Sequence, residues 1–500
     1  MLLPLRSRAR VHLTRSTSAA LLVGIIAVAV AAIGSWIPSL WGDEAASLLS
    51  AERSIPSLLL EISHVDAVHG TYYLFLHFWI QLFGTTPFAI RFPSALAIGA
   101  AAAAVVLIGA RLRSVPVGVT AGLICAVLPR ITYIGEEARS YAFSAAIAAW
   151  LSLILIVALT RHGKNRGVWI AYGAVLAVGV YMFLYLGLIA VAQGLVLLIA
   201  ARRRRILIPW AIATACALVA AAPVIVAALF ERNQIAYLAT RTEITADSVL
   251  VTIWFGQIPF AIIGWLLTVA GLAIALVPWI RRRPESPRSP IGLLVASWFL
   301  VPSAILIGTS PIVADFTARY LALCSPAVAL LMSLPLAALA TRWRPALALG
   351  TAVVVGVAIA PWVSQRGPYA KNNSDWAVIS ADLQRVTHPG DAVVFDESVR
   401  PSRRTRLALR TYPVSVQLRD PTLGVPFWQN TTWHDDALTI PVAAAAGRFS
   451  GVTRVWVVEY AIGYKVDSYG IQDLANLGFV RGNTELATHR SRIIEFTRAD

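Results

Sequence analysis

Charged side chains are scarce in this chain of 500 residues, and acidic ones are the scarcest. Only 14% of the residues are Asp, Glu, Lys or Arg, whereas 58% are hydrophobic. A soluble domain typically carries about 25% charged residues. With a mean hydropathy of +0.69, this composition excludes an ordinary soluble protein and predicts a chain that crosses a membrane many times.

Cysteine is also scarce. The three cysteines, Cys125, Cys216 and Cys324, all fall in apolar segments. They form no CxxC pair and no even-numbered framework of the kind that staples small secreted domains. The sequence therefore argues against a disulfide scaffold, a cysteine-based metal site and thiol catalysis.

Basic residues outnumber acidic ones by 42 to 26, which gives a formal net charge of +16. A basic chain can bind nucleic acid, but here the basic residues punctuate apolar segments, as cytoplasmic loops of membrane proteins do. We therefore predict no nucleic-acid partner. The clusters lie at 111–113, 161–166, 202–205, 281–288 and 342–344.

Placing every basic cluster inside predicts an α-helical polytopic membrane bundle of about eleven transmembrane helices, each near the ~20 residues that a span needs. The N-terminus is then cytoplasmic, the C-terminus is extracytoplasmic, and the protein is a multi-pass protein of a plasma membrane. The predicted spans are 18–38, 92–110, 115–130, 140–160, 167–182, 186–201, 206–230, 255–280, 290–309, 320–340 and 345–363.

The chain changes character near residue 364. Residues 1–363 are predicted to form the transmembrane module, with a first outer loop at 38–84. Residues 364–500 are polar and predict a small soluble α/β domain, in which 376–386 is an amphipathic helix and 392–395, 454–460 and 493–496 are strands.

Residues 70–84 are aromatic and apolar but short. If they formed a full span, the orientation of every later span in the membrane would be reversed, and the arginine clusters would lie outside. We therefore predict a helix that lies in the outer membrane interface, where the rings of Tyr72, Tyr73 and Trp79 are favourable.

The stretch Trp41-Gly42-Asp43-Glu44 directly follows the first apolar segment. Carboxylates close to hydrocarbon are costly and are often functional, although they can also simply solvate a helix end. The predicted topology collects further polar side chains on the same outer side. These are His64, Asp66, His69, Tyr72, Glu136, Glu137, Arg139, Tyr141, Glu231, Arg232, Arg241, Glu243, Asp315, Arg319 and Tyr320.

Carboxylates and arginines on one side of a membrane suit group transfer from a phosphate leaving group. A carboxylate can deprotonate the acceptor as general base, and arginines can bind the phosphate. Other roles stay open for single residues. His64, Asp66 and His69 could ligate a metal, although their spacing is not HExxH. Glu136 and Glu137 could cap the following helix, and Arg319 could extend towards water at a span end.

Four stretches resemble the GT-C glycosyltransferases that use polyprenyl-phosphate sugars, of the protein mannosyltransferase and aminoarabinose transferase type. Trp41-Gly42-Asp43-Glu44 resembles the acidic motif of the first outer loop. Residues 66–79 resemble the family's "D-x-H-P-P-L-Y-Y" loop, and Arg91-Phe-Pro93-Ser94 resembles the "R-x-P-S" motif that follows it. Residues 129–141 resemble "E-A-R-x-Y", and 315–320 resemble the late "R-Y". Where the family has His-Pro-Pro, this chain has His69-Gly70-Thr71.

The resemblance implies a GT-C fold, Asp43 as general base with Glu44 beside it, and Arg139 and Arg319 near the donor phosphate. It implies that His69 and Tyr72 lie beside the sugar or the base. From the predicted topology we also assign to the donor and acceptor site the other polar residues of the outer side, namely His64, Asp66, Glu136, Glu137, Tyr141 and Tyr320. The resemblance also implies transfer with inversion in a single displacement. Some members of the class bind a divalent metal and some do not, so a divalent metal stays an open alternative here, and we assign no residue as its ligand.

The sequence thus predicts an integral-membrane glycosyltransferase of a bacterial cell envelope. It would move a sugar, mannose first, from a polyprenyl-phosphate donor to a protein, glycan or lipoglycan acceptor on the outer face. An arabinosyl or aminoarabinose transferase is the alternative within the superfamily. A lipid or sugar transporter or flippase is the alternative of another class, but it predicts ionisable residues at mid-membrane. An assembly protein that docks a partner would leave Asp43 without a role.

Overall fold

The computed structural model describes residues 5–160, 166–200, 204–231, 244–281, 289–310, 316–461 and 469–499. Four of the outer residues considered above, Arg232, Arg241, Glu243 and Asp315, lie outside the described residues.

Helices dominate the first three quarters of the described chain. In chain order they are α1 (Leu5–Ala32), α2 (Gly42–Glu52), α3 (Ile55–Ile62), α4 (Gly70–Phe83), α5 (Pro87–Leu112), α6 (Val115–Val127), α7 (Pro129–Gly135), α8 (Tyr141–Thr160), α9 (Arg166–Met182), α10 (Gly187–Ala200), α11 (Arg204–Ala220), α12 (Ala222–Phe230), α13 (Ile258–Ile280), α14 (Ser289–Thr309), α15 (Ser325–Ala340) and α16 (Ala346–Ser364).

Among the described residues, 7 helices are long and apolar enough to cross a membrane, or up to 9 if each of two bent pairs is one span. Two shorter apolar helices cover Arg166–Met182 and Leu184–Ile199. Each predicted span therefore corresponds to an apolar helix or to a bent pair. The first helix ends at Ala32, earlier than predicted, because Gly34 adopts φ 77°, a conformation that ends helices.

The two bent pairs have a common cause. α6 and α7 meet at an angle of 60°, and α11 and α12 meet at 55°. Each second helix carries a proline in its first turn. Proline removes a backbone donor and disfavours a helical conformation for the residue before it, so the chain bends there.

The segment after α1 is helical rather than an irregular outer loop. α2 begins at Gly42, so Asp43 and Glu44 occupy its first turn. α4 has 14 residues and spans about 21 Å at 1.5 Å per residue, less than the ~30 Å hydrocarbon core. It buries Tyr73 and Leu76 on one face and exposes Phe78 on another.

The polar C-terminal part is a small α/β fold. Its four-stranded sheet has the order β1-β2-β4-β3, with β1 parallel to β2 and the other neighbours antiparallel. The elements are α17 (Trp376–Val386), β1 (Ala392–Phe395), α18 (Leu407–Thr411), α19 (Ile440–Ala445), β2 (Arg454–Tyr460), α20 (Ile471–Asn476), β3 (Phe479–Ala487) and β4 (Ser491–Arg498).

The chain divides into two compact units. The first unit contains Met1–Ile33, Ala67–Thr71 and Arg91–Val363, and the second contains Gly34–Asp66, Tyr72–Ile90 and Ser364–Asp500. Helices α2 and α3 therefore belong to the same unit as the C-terminal sheet.

Gly42, the first residue of α2, lies against the backbone of the C-terminal part. A Cβ built at this position would lie 2.5 Å from both the Cβ and the carbonyl oxygen of Ser402. We expect Gly42→Ala to lower the stability of the second unit by about 1–3 kcal/mol, the usual cost of overpacking. Thermal unfolding in detergent measures this. Gly356→Ala is the control, because a Cβ at Gly356 would meet open space. Gly84→Ala is unsuitable because Gly84 has φ 79°, which strains any other residue. Equal melting temperatures for Gly42→Ala and Gly356→Ala would contradict the prediction.

Candidate active site

The turn between α7 and α8 carries two buried carboxylates in the first unit. The side chains of Glu136 and Glu137 have an exposed fraction of 0%. Ser94 of α5 donates its hydroxyl to the backbone oxygen of Glu137 at 2.6 Å, and the Arg139 amide donates to the same oxygen at 2.9 Å. Glu136 and Glu137 are therefore part of a fixed, buried turn rather than solvated caps of α8.

Arg319 pairs with one of these acids. It lies in the 3₁₀ segment Ala318–Cys324, and its Nη1 atom is 3.1 Å from Glu137 Oε1. Its guanidinium carbon is 5.2 Å from the ring centroid of Tyr141, and 19% of its side chain is exposed. Arg319 is thus held by a carboxylate and an aromatic ring while part of its side chain stays accessible.

The aromatic surroundings of Arg319 extend to Tyr320. The ring centroids of Tyr320 and Tyr141 are 6.2 Å apart, and those of Tyr320 and Tyr185 are 5.0 Å apart. Phe183 packs edge-on against Tyr320 at 5.6 Å. These rings restrict the side chains around Arg319 and limit the access of water.

A second arginine lies beside an imidazole in the same unit. Residues Ala67–His69 form a short 3₁₀ turn, and Nη2 of Arg139 is 3.2 Å from Nε2 of His69. Arginine has only donors, so His69 accepts through Nε2. The contacts from His69 to Arg139, from the 137–139 turn to Arg319 and from Arg319 to Tyr141 form one continuous cluster, which we call the arginine cluster.

The arginine cluster suits an oxyanion. Arg139 is 7% exposed, and a guanidinium in a partly dry setting binds phosphate more tightly than one in water. Each guanidinium is planar and carries five N–H donors, a geometry that suits phosphate oxygens. Two such groups on one polar surface could hold a phosphate and stabilise it as it leaves.

The remaining predicted residues lie in the second unit. Asp43 and Glu44 start α2, where the helix dipole favours negative charge; Glu44 is fully buried and Asp43 is half-buried. Asp66 has φ 58° and accepts a hydrogen bond from Tyr73 Oη at 3.2 Å. Tyr72 is buried.

His64 does not join a metal-binding group. It is exposed, and its Nδ1 atom lies 2.9 Å from the backbone oxygen of Leu60. Within the part of the chain that the structure describes, no group of three or more His, Cys, Asp or Glu side chains is placed to hold a metal ion.

The fold resembles solved glycosyltransferase structures. ArnT from Cupriavidus metallidurans, bound to undecaprenyl phosphate, matches with a TM-score of 0.57 and 12% identity over 95% of this chain and 97% of that chain. The Archaeoglobus fulgidus oligosaccharyltransferase tethered to an acceptor peptide matches with a TM-score of 0.54 and 11% identity over 89% of this chain and 69% of that chain. A search of curated protein sequences finds no match.

A family model also matches the sequence. Residues 71–227 match the family described as dolichyl-phosphate-mannose-protein mannosyltransferase. The chain therefore shares the fold of these solved glycosyltransferase structures. The segment that matches the family contains Glu136, Glu137 and Arg139, and ends before Arg319.

Sequence reasoning missed a buried ion pair in the second unit. Arg53 directly follows α2, and its Nε atom lies 3.0 Å from Oε2 of Glu61 in α3. Both side chains are 0% exposed. Ser50 donates to Glu61 at 2.7 Å, and Arg53 donates to the backbone oxygens of Asn430, at 2.8 Å, and Thr432. The sequence signal was slight, since Arg53 is followed by the mostly apolar residues 54–60 before Glu61.

Burial shifts both groups of this pair. It raises the pKa of Glu61 to about 7, although the hydrogen bond from Ser50 and the charge of Arg53 act in the opposite direction. Burial also lowers the pKa of Arg53, and the charge of Glu61 opposes that shift. The pair fixes the connection between α2 and α3 to the 430–432 segment of the same unit.

Proposed function

We propose that this enzyme transfers one sugar from a polyprenyl-phosphate donor to an acceptor hydroxyl on the outer face of a plasma membrane. The arginine cluster carries the proposal. Two guanidinium groups, each held by its own partner and neither fully exposed, match the needs of a phosphate that stays attached to a membrane lipid. Support also comes from the ArnT relative, which was solved with undecaprenyl phosphate.

Asp43 is the proposed general base. It is half-buried, whereas Glu44 is fully buried, so Asp43 has the carboxylate that an acceptor can reach. In a single displacement the Asp43 carboxylate takes the proton of the acceptor hydroxyl while the acceptor oxygen bonds to the anomeric carbon. The bond from that carbon to the phosphate oxygen breaks, and the leaving phosphate keeps the electron pair. The product is inverted at the anomeric carbon.

Mannose is the proposed sugar, since the matching family model describes a mannosyltransferase. An arabinosyl or aminoarabinose donor is the second candidate, because the motifs of this chain also resemble those of the aminoarabinose transferase type. The acceptor is proposed to be a protein, a glycan or a lipoglycan. The oligosaccharyltransferase relative was solved with a tethered acceptor peptide, which favours testing a protein acceptor first.

A donor panel tests the proposal. Purified protein in lipid is incubated with polyprenyl-phosphate mannose, arabinose and aminoarabinose and with membrane extract as acceptor, and release of polyprenyl phosphate is measured. We expect release from one donor and its loss in Asp43→Ala. Release from none of the donors, with correctly folded protein, would contradict transferase activity and favour a transporter or flippase.

Arg319 should contribute mainly to donor binding. Arg319→Ala removes a charge-assisted contact worth roughly 1.5–3 kcal/mol, so we expect the donor KM to rise by about 10- to 100-fold with a smaller change in kcat. Arg319→Lys keeps the charge that pairs with Glu137 but loses the planar guanidinium. Its donor KM should lie between that of the wild type and that of Arg319→Ala.

Steady-state kinetics with varied donor measures both Arg319 variants. Arg385→Ala is a suitable control because Arg385 is 65% exposed and pairs with Asp382 on the C-terminal domain. An unchanged donor KM in Arg319→Ala, with normal folding, would remove Arg319 from the phosphate site.

A further inference from the structure

Glu231 makes a contact that links two distant parts of the first unit. It directly follows α12, and its Oε2 and Oε1 atoms lie 3.0 and 3.3 Å from the backbone nitrogen of Ala67. The carboxylate therefore accepts the Ala67 N–H, a charge-assisted hydrogen bond of the stronger kind. The two residues are 164 positions apart in the chain.

The position of Glu231 is unfavourable for its own helix. It is the C-terminal cap of α12, and a negative charge at that end opposes the helix dipole. The acid therefore does not stabilise α12 by its charge. The hydrogen bond that the carboxylate accepts from the Ala67 N–H compensates for this unfavourable position.

Ala67 is the first residue of the 3₁₀ turn that ends at His69. Such a short turn makes few hydrogen bonds of its own, and Asp66 before it is in the left-handed region with φ 58°. The position of the turn therefore depends on contacts from outside. Glu231 holds its first residue, and at its last residue His69 contacts Arg139.

We propose that Glu231 is a positioning residue for the donor-phosphate site. By fixing the 67–69 turn it places the His69 imidazole against Arg139 and so orients the Arg139 guanidinium. Glu231 itself does not bind the donor. The inference rests on the proposed function of the arginine cluster.

The test measures binding of two probes to purified full-length protein, undecaprenyl phosphate and undecaprenol, which lacks the phosphate. We expect Glu231→Ala to weaken binding of undecaprenyl phosphate about tenfold, as loss of one such bond implies, and to leave undecaprenol binding unchanged. Glu231→Gln retains an acceptor oxygen and should restore most of the affinity. Asp382→Ala removes an acid on α17 that pairs with Arg385 and serves as the matched control.

A double-variant cycle separates positioning from general stability. If Glu231 acts through His69, then adding Glu231→Ala to His69→Ala should change the affinity for undecaprenyl phosphate by less than twofold, because the effects of residues that act through one hydrogen-bond network are not additive. Fully additive effects, or an equal loss of affinity for undecaprenol, would overturn the proposal.

The failures of the two proposals are distinguishable. If His69→Ala, Arg139→Ala and Arg319→Ala all leave binding of undecaprenyl phosphate unchanged, the donor-phosphate site is wrong and the inference falls with it. If those variants lose affinity but Glu231→Ala does not, only the role of Glu231 is wrong.

Discussion

Replacing Asp43 with asparagine should lower kcat by about 10²- to 10⁴-fold, the range that a general base contributes. Asparagine has nearly the same shape but cannot take the proton of the acceptor hydroxyl. The donor KM should stay within about threefold, because in our proposal the arginine cluster, not Asp43, binds the phosphate. Rates of polyprenyl phosphate release with saturating donor measure the effect.

Folding of the Asp43→Asn protein must be checked alongside its rate. Asp43 is half-buried in the first turn of α2, and asparagine keeps nearly the shape of aspartate while giving up a helix-dipole interaction of about 0.3–1 kcal/mol. We therefore expect a melting temperature close to that of the wild type. Asp382→Asn is the control for removing a carboxylate elsewhere. If Asp43→Asn retained more than a tenth of the wild-type kcat, another residue would have to be the base.

Replacing Arg53 with methionine should cost about 3–5 kcal/mol of stability, as breaking a buried ion pair does. The variant leaves the buried Glu61 carboxyl without its cation and the backbone oxygens of Asn430 and Thr432 without their donor. Thermal unfolding in detergent and limited proteolysis of the 34–66 segment both report the loss.

The cost of Arg53→Met should depend on pH. The folded-state pKa of Glu61 is about 7, above its usual 4.5. A carboxyl with a raised pKa contributes stability that is complete below about pH 4.5 and is lost as the pH rises through 7. Without Arg53 the ionised carboxylate is still more costly. We therefore expect a larger destabilisation at pH 8 than at pH 5.5.

The double variant Arg53→Met with Glu61→Gln provides the control. It removes both charges, so it should recover part of the lost stability and show little pH dependence at this site. A single variant that is no less stable than wild type at pH 8, or a double variant that is worse than the single one, would contradict the importance of the pair.

The sequence predicted the regular elements well where burial imposes a period. α17 matches its predicted bounds because Trp376, Ile379 and Leu383 recur at helical spacing and face the core. β1 and β2 match because they are rich in valine and almost fully buried. The apolar helices could also be predicted, because the thickness of the hydrocarbon core sets how many apolar residues a span needs.

The sequence did not predict β3. This strand is at the edge of the sheet, most of its side chains are at least partly exposed, and its pairing with β4 is interrupted between Arg481 and Glu485. An edge strand with polar residues on most positions carries little of the alternating pattern on which a prediction depends. The helical start of α2 at Gly42 was missed as well, because its N-cap Trp41 makes no side-chain capping bond.

The site illustrates a different limit. The polar residues of the arginine cluster could be proposed one by one, but not their pairing, since Glu137 and Arg319 are 182 residues apart. Likewise, nothing local connects Glu231 to Ala67. Such pairs arise from the packing of helices around them, which short motifs do not encode. The catalytic role of Asp43 therefore stays a prediction for kinetics to decide.

The contact between Arg53 and Asn430 has a consequence for biosynthesis. The two residues are 377 positions apart, so at about 5–20 residues per second the ribosome needs roughly 20–75 s to deliver the second after the first. During that interval a nascent chain carries an arginine and a glutamate whose final surroundings do not yet exist. The contacts between these two parts of the second unit can form only after residues 430–432 have been made, and a chain that stops at residue 363 would never supply the partner.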